Sequence, residues 1–449
     1  MLHIKSISGK MFGAGAVLMF LLLITACSNE DNPIVSPGET SKVSGRISSS
    51  NGMAKILSKS GSSESAEVSV QGALVTLAQV QADGSLKTVS TQSVQTDVSG
   101  KFVVETNLSN VNNLIIVAEQ GAIKWKAIVS STVRSGATVY APPLNDESST
   151  EAELYIRVVG GGYSGEVSES DIKALLTEEA AIKIRGNATA ETQFINAVRA
   201  KSQAMTQAAA NSYFGISGTQ MQAFVNAKAA ASAKMDEESY ASGDSEAERE
   251  NHFRSYEGNV ISACASNNIN ATTYAELTRI GLSAFSSASA SMEPAARLAL
   301  SKSFYKRFAV TLGYAMNQQF QAAGASNAQV NLMASAGTTL YNSIKNSSDL
   351  DQISSAFVQY HATAKTQLQL ALSAYSGFIE TLDTSINSGT GAKAVLTSSF
   401  GTGASAGLII NGYVSFYNTV KTLVQAALVG ASSSQVNAAS HILIIANMN

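Results

Sequence analysis

The sequence predicts an α+β multidomain protein, with a small N-terminal antiparallel β-sandwich followed by a larger all-α helical domain. Three observations lead there. Between residues 41 and 144, short runs rich in β-branched residues are separated by Gly- and Asp-containing turns. From residue 148 onward, apolar residues recur at helical spacing behind Ser, Thr and Asp capping patterns. Ahead of both, an uncharged apolar run ends at Cys27 and gives way to a Pro- and Gly-containing segment.

The first element is that apolar run. Residues 1–10 carry Lys5 and Lys10 and no acid, and residues 11–26 carry no charge. A positive start, an apolar middle and a small-residue end describe an export signal. The run is shorter than the roughly 18 residues expected of a spanning helix. Its end, Ile24-Thr25-Ala26-Cys27, resembles the lipobox of bacterial lipoproteins. The resemblance implies that the Cys27 thiol takes a diacylglycerol, that residues 1–26 are removed, and that the new amine is acylated. One acyl chain binds a membrane only marginally, and two or three on one residue hold firmly. Cys27 is therefore the expected lipid-attachment site, and the membrane the expected partner through it. Ser28 rather than Asp follows the cysteine, which by the same resemblance implies the outer membrane rather than the inner. Glu30-Asp31 resembles the export tag of surface lipoproteins, and an acidic solvated tether over residues 27–40 explains it equally well.

The sandwich is expected over residues 41–144. Val43-Ser44-Gly45-Arg46-Ile47 opens a period-two pattern, and residues 48–65, rich in Ser, Gly and Lys, read as a long loop. Ala73-Leu74-Val75-Thr76-Leu77-Ala78 leads to a turn at Asp83-Gly84. Residues 86–95 alternate, and a turn over 97–100 precedes Lys101-Phe102-Val103-Val104-Glu105. Residues 114–118 and 123–129 pair around Gln120-Gly121, and Thr138-Val139-Tyr140 adds an edge strand ended by Pro142-Pro143. The stretch resembles the prealbumin-like and carboxypeptidase regulatory-like domains. The resemblance rests on Val43/Gly45/Ile47, Gly72-Ala73 with Val75 and Leu77, Val94/Thr96/Asp97, and Gly100 with Phe102. It implies a non-catalytic spacer or binding module.

The helical domain is expected over residues 148–449. Thr150 stands three residues before Glu153, a capping-box spacing, and Gly160-Gly161-Gly162 breaks the first helix. Ser168 with Asp171 opens the next. Residues 215–218 and 242–244 separate further pairs, and Ser348 with Asp351 opens the most regular helix. Its apolar stripe runs unbroken from Leu350 through Phe357, Leu368 and Leu372 to Ile386. Residues 406–430 are apolar enough to suggest a membrane span. Asn411, Ser415, Asn418, Lys421 and Gln425, however, recur on one face and make it a bundle helix.

Composition narrows the function. Charged residues make up 14% of the chain, against about 25% on average. The formal net charge is −3, made more acidic by losing Lys5 and Lys10, and Lys306-Arg307 is the densest basic pair in the helical part. No electrostatic footprint for nucleic acid is present. With Cys27 acylated, Cys264 has no intramolecular partner, and its apolar surroundings suit a buried small hydrophobe.

No catalytic set is complete, and neither a cofactor nor a metal site is expected. Gly403-Ala404-Ser405-Ala406-Gly407 matches the nucleophile elbow, yet no acid follows Ser405 anywhere downstream. The glycines at 389/391 and 401/403 read as helix ends rather than a dinucleotide loop. His252, His361 and His441 lack a metal-binding partner at helical spacing. Asp236-Glu237-Glu238 and Glu246, Glu248, Arg249 and Glu250 read as a solvated face and helix-start charges. Trp125, the only tryptophan, sits on a strand and reads as core before sugar platform. The expectation is a lipid-anchored cell-envelope protein, a non-enzymatic binding or structural module with an envelope protein or glycan as partner. The alternative is an envelope hydrolase whose site is assembled in the helical domain.

Overall fold

The computed structural model describes residues 40–49, 68–242, 245–400 and 403–447. Cys27, the export signal and the tether lie outside the described residues, as does most of the loop expected at 48–65. Where that loop leaves and rejoins the fold, β2 (Ser48–Ser49) pairs antiparallel with β3 (Val68–Ser69).

An N-terminal sheet region precedes a large helical one. β1 (Ser41–Arg46) is flanked by β7 (Lys101–Thr106) and β10 (Thr138–Tyr140). The second sheet runs β5 (Leu86–Thr88), β4 (Leu74–Val80), β8 (Leu114–Gln120), β9 (Ile123–Val129), with β6 (Val94–Gln95) also on β4. Two details differ from the sequence reading. The alternating run 86–95 is two short strands, both lying along β4, with an interruption where Val89 N and Ser90 N both donate to Leu77 O. β10 is the expected edge strand, but it joins β1 in parallel, the one parallel pair among the described strands of an otherwise antiparallel arrangement.

The sheets face each other across Val43, Val75, Leu77, Phe102, Val104, Leu114, Ile116 and Trp125. Gly45 is required there, because a Cβ would lie 2.3 Å from the Phe102 ring. Gly100 turns at φ +73° with Ile47 O close by, a conformation that costs glycine least. The opposite face of the five-stranded sheet is buried too. Val80, Ile115 and Ile128 belong to the helical core, with Val117 packed against it. The uninterrupted Leu114-Ile115-Ile116-Val117 run suits a strand covered on both sides.

The covering element is α1 (Asp146–Gly160), packed on β9 and presenting Ala152, Leu154, Tyr155 and Val158. Its cap is not the expected Thr150–Glu153 box. Asn145 accepts from Ser148 N while Ser148 Oγ accepts from Asn145 N, so the helix starts earlier. α2 (Glu169–Lys173) opens at the expected Ser168–Asp171 box. α3 (Glu178–Ile184), α4 (Ala188–Ala209), α5 (Gly218–Ser242), α6 (Glu246–Ser266) and α7 (Ala271–Ala288) follow. α8 (Pro294–Ala322), begun by a proline in its first turn, runs through the centre and packs on α3, α6, α7, α9 (Asn327–Lys345) and α10 (Leu350–Ala371).

The single helix expected over the 350–386 stripe is interrupted. At Leu372 the backbone leaves helical geometry (φ −112°, ψ 53°), and a short 3-10 turn leads into α11 (Ser376–Asn387). Ile353, Phe357, Tyr360, Leu368, Leu372, Ile379, Leu382 and Ile386 are nonetheless all buried. α12 (Ala392–Ser398), α13 (Ala406–Ala427) and α14 (Ser433–Ala446) complete the chain. On α13, Asn411, Ser415, Asn418 and Gln425 are exposed while Tyr413, Phe416, Tyr417, Val420 and Val424 are buried, the expected division. Among the described residues no helix is long and apolar enough to cross a membrane.

Candidate binding cavity at the sheet–helix junction

Where α1 leaves the sheet region, a cavity of about 540 Å³ opens among the helices and the segment that joins them to the sheets. Pro142 and Pro143 of the connecting segment form one edge. α1 contributes Asn145, Glu147, Ser148 and Glu151, and α5 contributes Met235, Asp236 and Ser239. Lys173 comes from α2, and Glu178 and Glu179 from α3. Arg249, Glu250, His252 and Phe253 come from α6, Lys302, Ser303 and Lys306 from α8, and Lys345 from α9. Volume and domain-junction location are those of small-ligand sites, but the walls carry many more charges than such sites usually do.

The deepest pair is Lys173 with Asp236, both side chains at most 1% exposed. Lys173 also donates to Ser130 Oγ at 2.9 Å, and Asp236 Oδ2 accepts from Ser130 N at 3.2 Å, so the pair ties α2 and α5 to the end of β9. Burial acts to lower the Lys173 pKa, and the carboxylates of Asp236 and Glu151 outweigh it and hold the ammonium protonated. Behind it, Asp171 accepts from Lys201 Nζ at 2.9 Å and Lys228 Nζ at 2.8 Å. Burial would raise this carboxyl, and the two ammonium groups override it and keep it well below the usual range. Burial pushes Lys201 down to about 8 in turn. Arg307 donates to Glu257 Oε2 at 2.9 Å and to Ala174 O at 3.2 Å. The short helix α2 and the residue after it are thus pinned by charges from α4, α5 and α8, which makes the cavity floor rigid.

The rim is more exposed. Arg249 meets Glu178 at 2.7 Å, Lys302 meets Glu179 at 3.0 Å, and Lys306 meets Glu250 at 2.7 Å. Glu250 also accepts from Tyr341 OH. Burial works against ionising Glu250, and the hydrogen bonds from Lys306 and Tyr341 bring its pKa below the ordinary value. Ser303 is 1% exposed, lines the cavity, and its Oγ has no hydrogen-bond partner.

The residues singled out in the sequence scatter. His252 reaches the cavity. Its Nε2 lies 2.8 Å from Ser242 Oγ and its Nδ1 3.6 Å from Glu238. The order Ser–His–Glu resembles a nucleophilic triad, but the Ser242 hydroxyl donates to Glu238 O at 2.9 Å. The imidazole then donates to Ser242 rather than accepting its proton, and 3.6 Å is too long for the second hydrogen bond. His361 pairs with Asp383 at 2.9 Å and His441 with Glu276 at 3.0 Å, neither lining the cavity. Ser405 caps α13 and is exposed, with no strand before it, so the G-x-S-x-G string is a helix start. Gly391 occupies the N-cap of α12. Cys264 is buried, and burial pushes its thiol up to about 12. Trp125 is core, 1% exposed between the sheets. Among the described residues no group of His, Cys, Asp or Glu is placed to hold a metal ion.

The reading of 236–238 and 246–250 as a solvated face and helix-start charges holds at exposed Glu237 and needs correction at Asp236 and Glu250. Asp236 is fully buried and Glu250 faces the cavity, whereas Glu248 does cap α6 with Ser245 as expected. A signal for Asp236 was present, since Phe224, Lys228, Ser232 and Asp236 recur every four residues and all are buried on α5. Compared with family models, curated proteins and solved structures, nothing matches this chain.

Proposed function

We propose that this is a lipid-anchored cell-envelope binding protein, held at the membrane through Cys27, whose junction cavity receives a small polar ligand. The observation that carries the binding half is the cavity itself. It is walled by helices and the connecting segment at Pro142 and Pro143, floored by a buried ion pair, and lined by a buried hydroxyl without a partner. The anchor rests on the residue order around Cys27 and the charge-free run before it.

Each half has its own test. A thermal-shift screen of small polar solutes compares the mature protein with an Ala299→Trp variant, whose indole fills the space beside Ser303. Ligands that raise Tm in the parent and not in the filled variant support the reading, and equal responses overturn it. A Cys27→Ser variant is expected to leave the membrane fraction, and retention there would refute the anchor.

A second reading, an envelope hydrolase, draws on Ser242, His252 and Glu238 beside the same cavity. It requires the Ser242 hydroxyl to rotate away from Glu238 O. Fluorophosphonate labelling that is lost in Ser242→Ala would favour this reading over simple binding.

A further inference from the structure

We propose that Arg279 on α7 holds a small oxyanion, a carboxylate or phosphate group, where α7, α8 and α13 meet, with the phenol hydroxyls of Tyr305 and Tyr413 completing the seat. Arg279 does not line the junction cavity, so the inference stands apart from the binding reading above.

The first argument is an interior cation without a counter-charge. Among the described residues, the buried cations Lys173, Lys201, Lys228, Lys306 and Arg307 each meet a carboxylate, and Arg279 does not. Arg279 is 8% exposed, and its Nε has no hydrogen-bond partner. Glu276, one turn earlier on α7, is taken by His441 at 3.0 Å. Asp383 on α11 meets His361 at 2.9 Å and Lys365 at 3.4 Å. The helices α8, α12 and α13 contain no acidic residue at all. An arginine keeps its proton inside a protein, and a buried charge is costly unless something of opposite sign meets it. The missing charge therefore comes from outside the chain.

The second argument is what surrounds the guanidinium. The groups that act on it are the phenols of Tyr413, Tyr305 and Tyr417. Burial lifts the pKa of Tyr413 and Tyr417 above the ordinary phenol value, so these rings offer neutral hydroxyls and not phenolates. A neutral phenol does not cancel the charge, but its O–H donates to an anion that does. Ser283 Oγ lies 2.8 Å from Tyr413 OH, and when Ser283 is the donor the Tyr413 proton is left for a ligand. Phe357 flanks Tyr305 with ring centroids 5.4 Å apart, and Phe400 flanks Tyr413 at 5.1 Å. Between such apolar walls a charge-assisted hydrogen bond is stronger than in water.

A second cation feels the same imbalance. The pKa of Lys393, on α12, is lowered by burial and then by the charge of Arg279, against the pull of Asp383. An anion at Arg279 relieves that repulsion. Tyr305 and Lys393 are both half-buried, which places the seat just beneath the surface.

The test is calorimetric titration of the purified protein with sodium acetate and with sodium phosphate, at an ionic strength fixed by sodium chloride, with Tm measured in the same buffers. At least one of the two anions is expected to bind at a single site and to raise Tm. Tighter binding of acetate assigns a carboxylate ligand, and tighter binding of phosphate assigns a phosphate. Arg279→Met is expected to lose this binding, and Tyr305→Phe to weaken it by about tenfold. Exposed Arg134→Met is expected to leave it unchanged. Binding of neither anion, or equal binding by Arg279→Met, would overturn the inference. So would an equal rise in Tm with chloride alone, the mark of a general salt effect. Should Arg279→Met lose its native circular dichroism, Arg279→Lys keeps the charge and loses the planar fork. It is expected to bind at least about tenfold more weakly, and parent-like affinity there would count against the site.

Discussion

Glu169 opens α2, half-buried, with its carboxyl under the influence of Lys173 and Asp236. Burial raises it to about 7, with Lys173 pulling down and Asp236 pushing up. Between about pH 4.5 and 7 the folded chain holds a proton here that the unfolded chain has released. This group therefore lowers stability as pH rises through that window, and its effect is constant above it. Glu169→Gln is expected to match the parent near pH 4 and to exceed it at pH 8 by on the order of 2 kcal/mol. Urea denaturation at both pH values checks this, and an equal difference at each would show that the carboxyl is not perturbed. At this scale the sequence was partly readable. Trp125, Cys264 and Ser405 stand where their neighbours implied, because apolar flanks and a glycine-rich helix start are local signals. Asp236 and Lys228 were missed, because charged residues on a buried stripe look like surface until their partners arrive from other elements. Lys173 and Asp171, which supply those partners, lie far away in sequence.

Among the elements, α2 has a weight out of proportion to its five residues. It is too short to hold itself by helix propensity, and Asp171, Lys173 and the following carbonyl of Ala174 bind it to α4, α5 and α8. Lys173→Met leaves Asp236 buried without its cation and is expected to cost about 3–5 kcal/mol. Adding Asp236→Leu should recover much of that, since removing both charges removes the desolvation penalty with them. A double-mutant cycle measured by chemical denaturation tests this, and additive losses would mean that the two residues do not act as a pair. Element boundaries were legible where a capping box was unambiguous, as at Ser168 and Asp171. They were not where two candidates competed. Asn145 captured the start of α1 from Thr150, and Asp349 rather than Ser348 accepts from the backbone that opens α10. The break at Leu372 was invisible to periodicity, because the stripe keeps its phase across the 3-10 turn and Leu372 stays buried on both counts.

For the molecule as a whole, the sheet region and the helices are expected to unfold together. The sequence separates them cleanly at residues 144–148, and the inner core between the two sheets is indeed the sheets' own. The outer face of the five-stranded sheet is not. Val80, Ile115 and Ile128 are buried within the helical core, against α1. Polar ties cross the same boundary: Ser130 N to Asp236, Lys173 to Ser130, Lys126 N to Ser149 Oγ, and Arg46 to Ser239 O. Tyr140 stacks on Tyr240 at 4.8 Å, clasping the far end of α5 to the sheet edge. Separating the parts would expose the apolar faces of α1 and β8 at once, and a face of that kind favours association with other chains. Calorimetry of the protein should therefore show one cooperative transition, with a calorimetric enthalpy equal to the van't Hoff value. Val80→Asp, placed on the shared face and outside the inner sheet core, is expected to lower that single Tm without splitting it. Two resolved transitions in the parent would mean that the parts are held together by the linker alone.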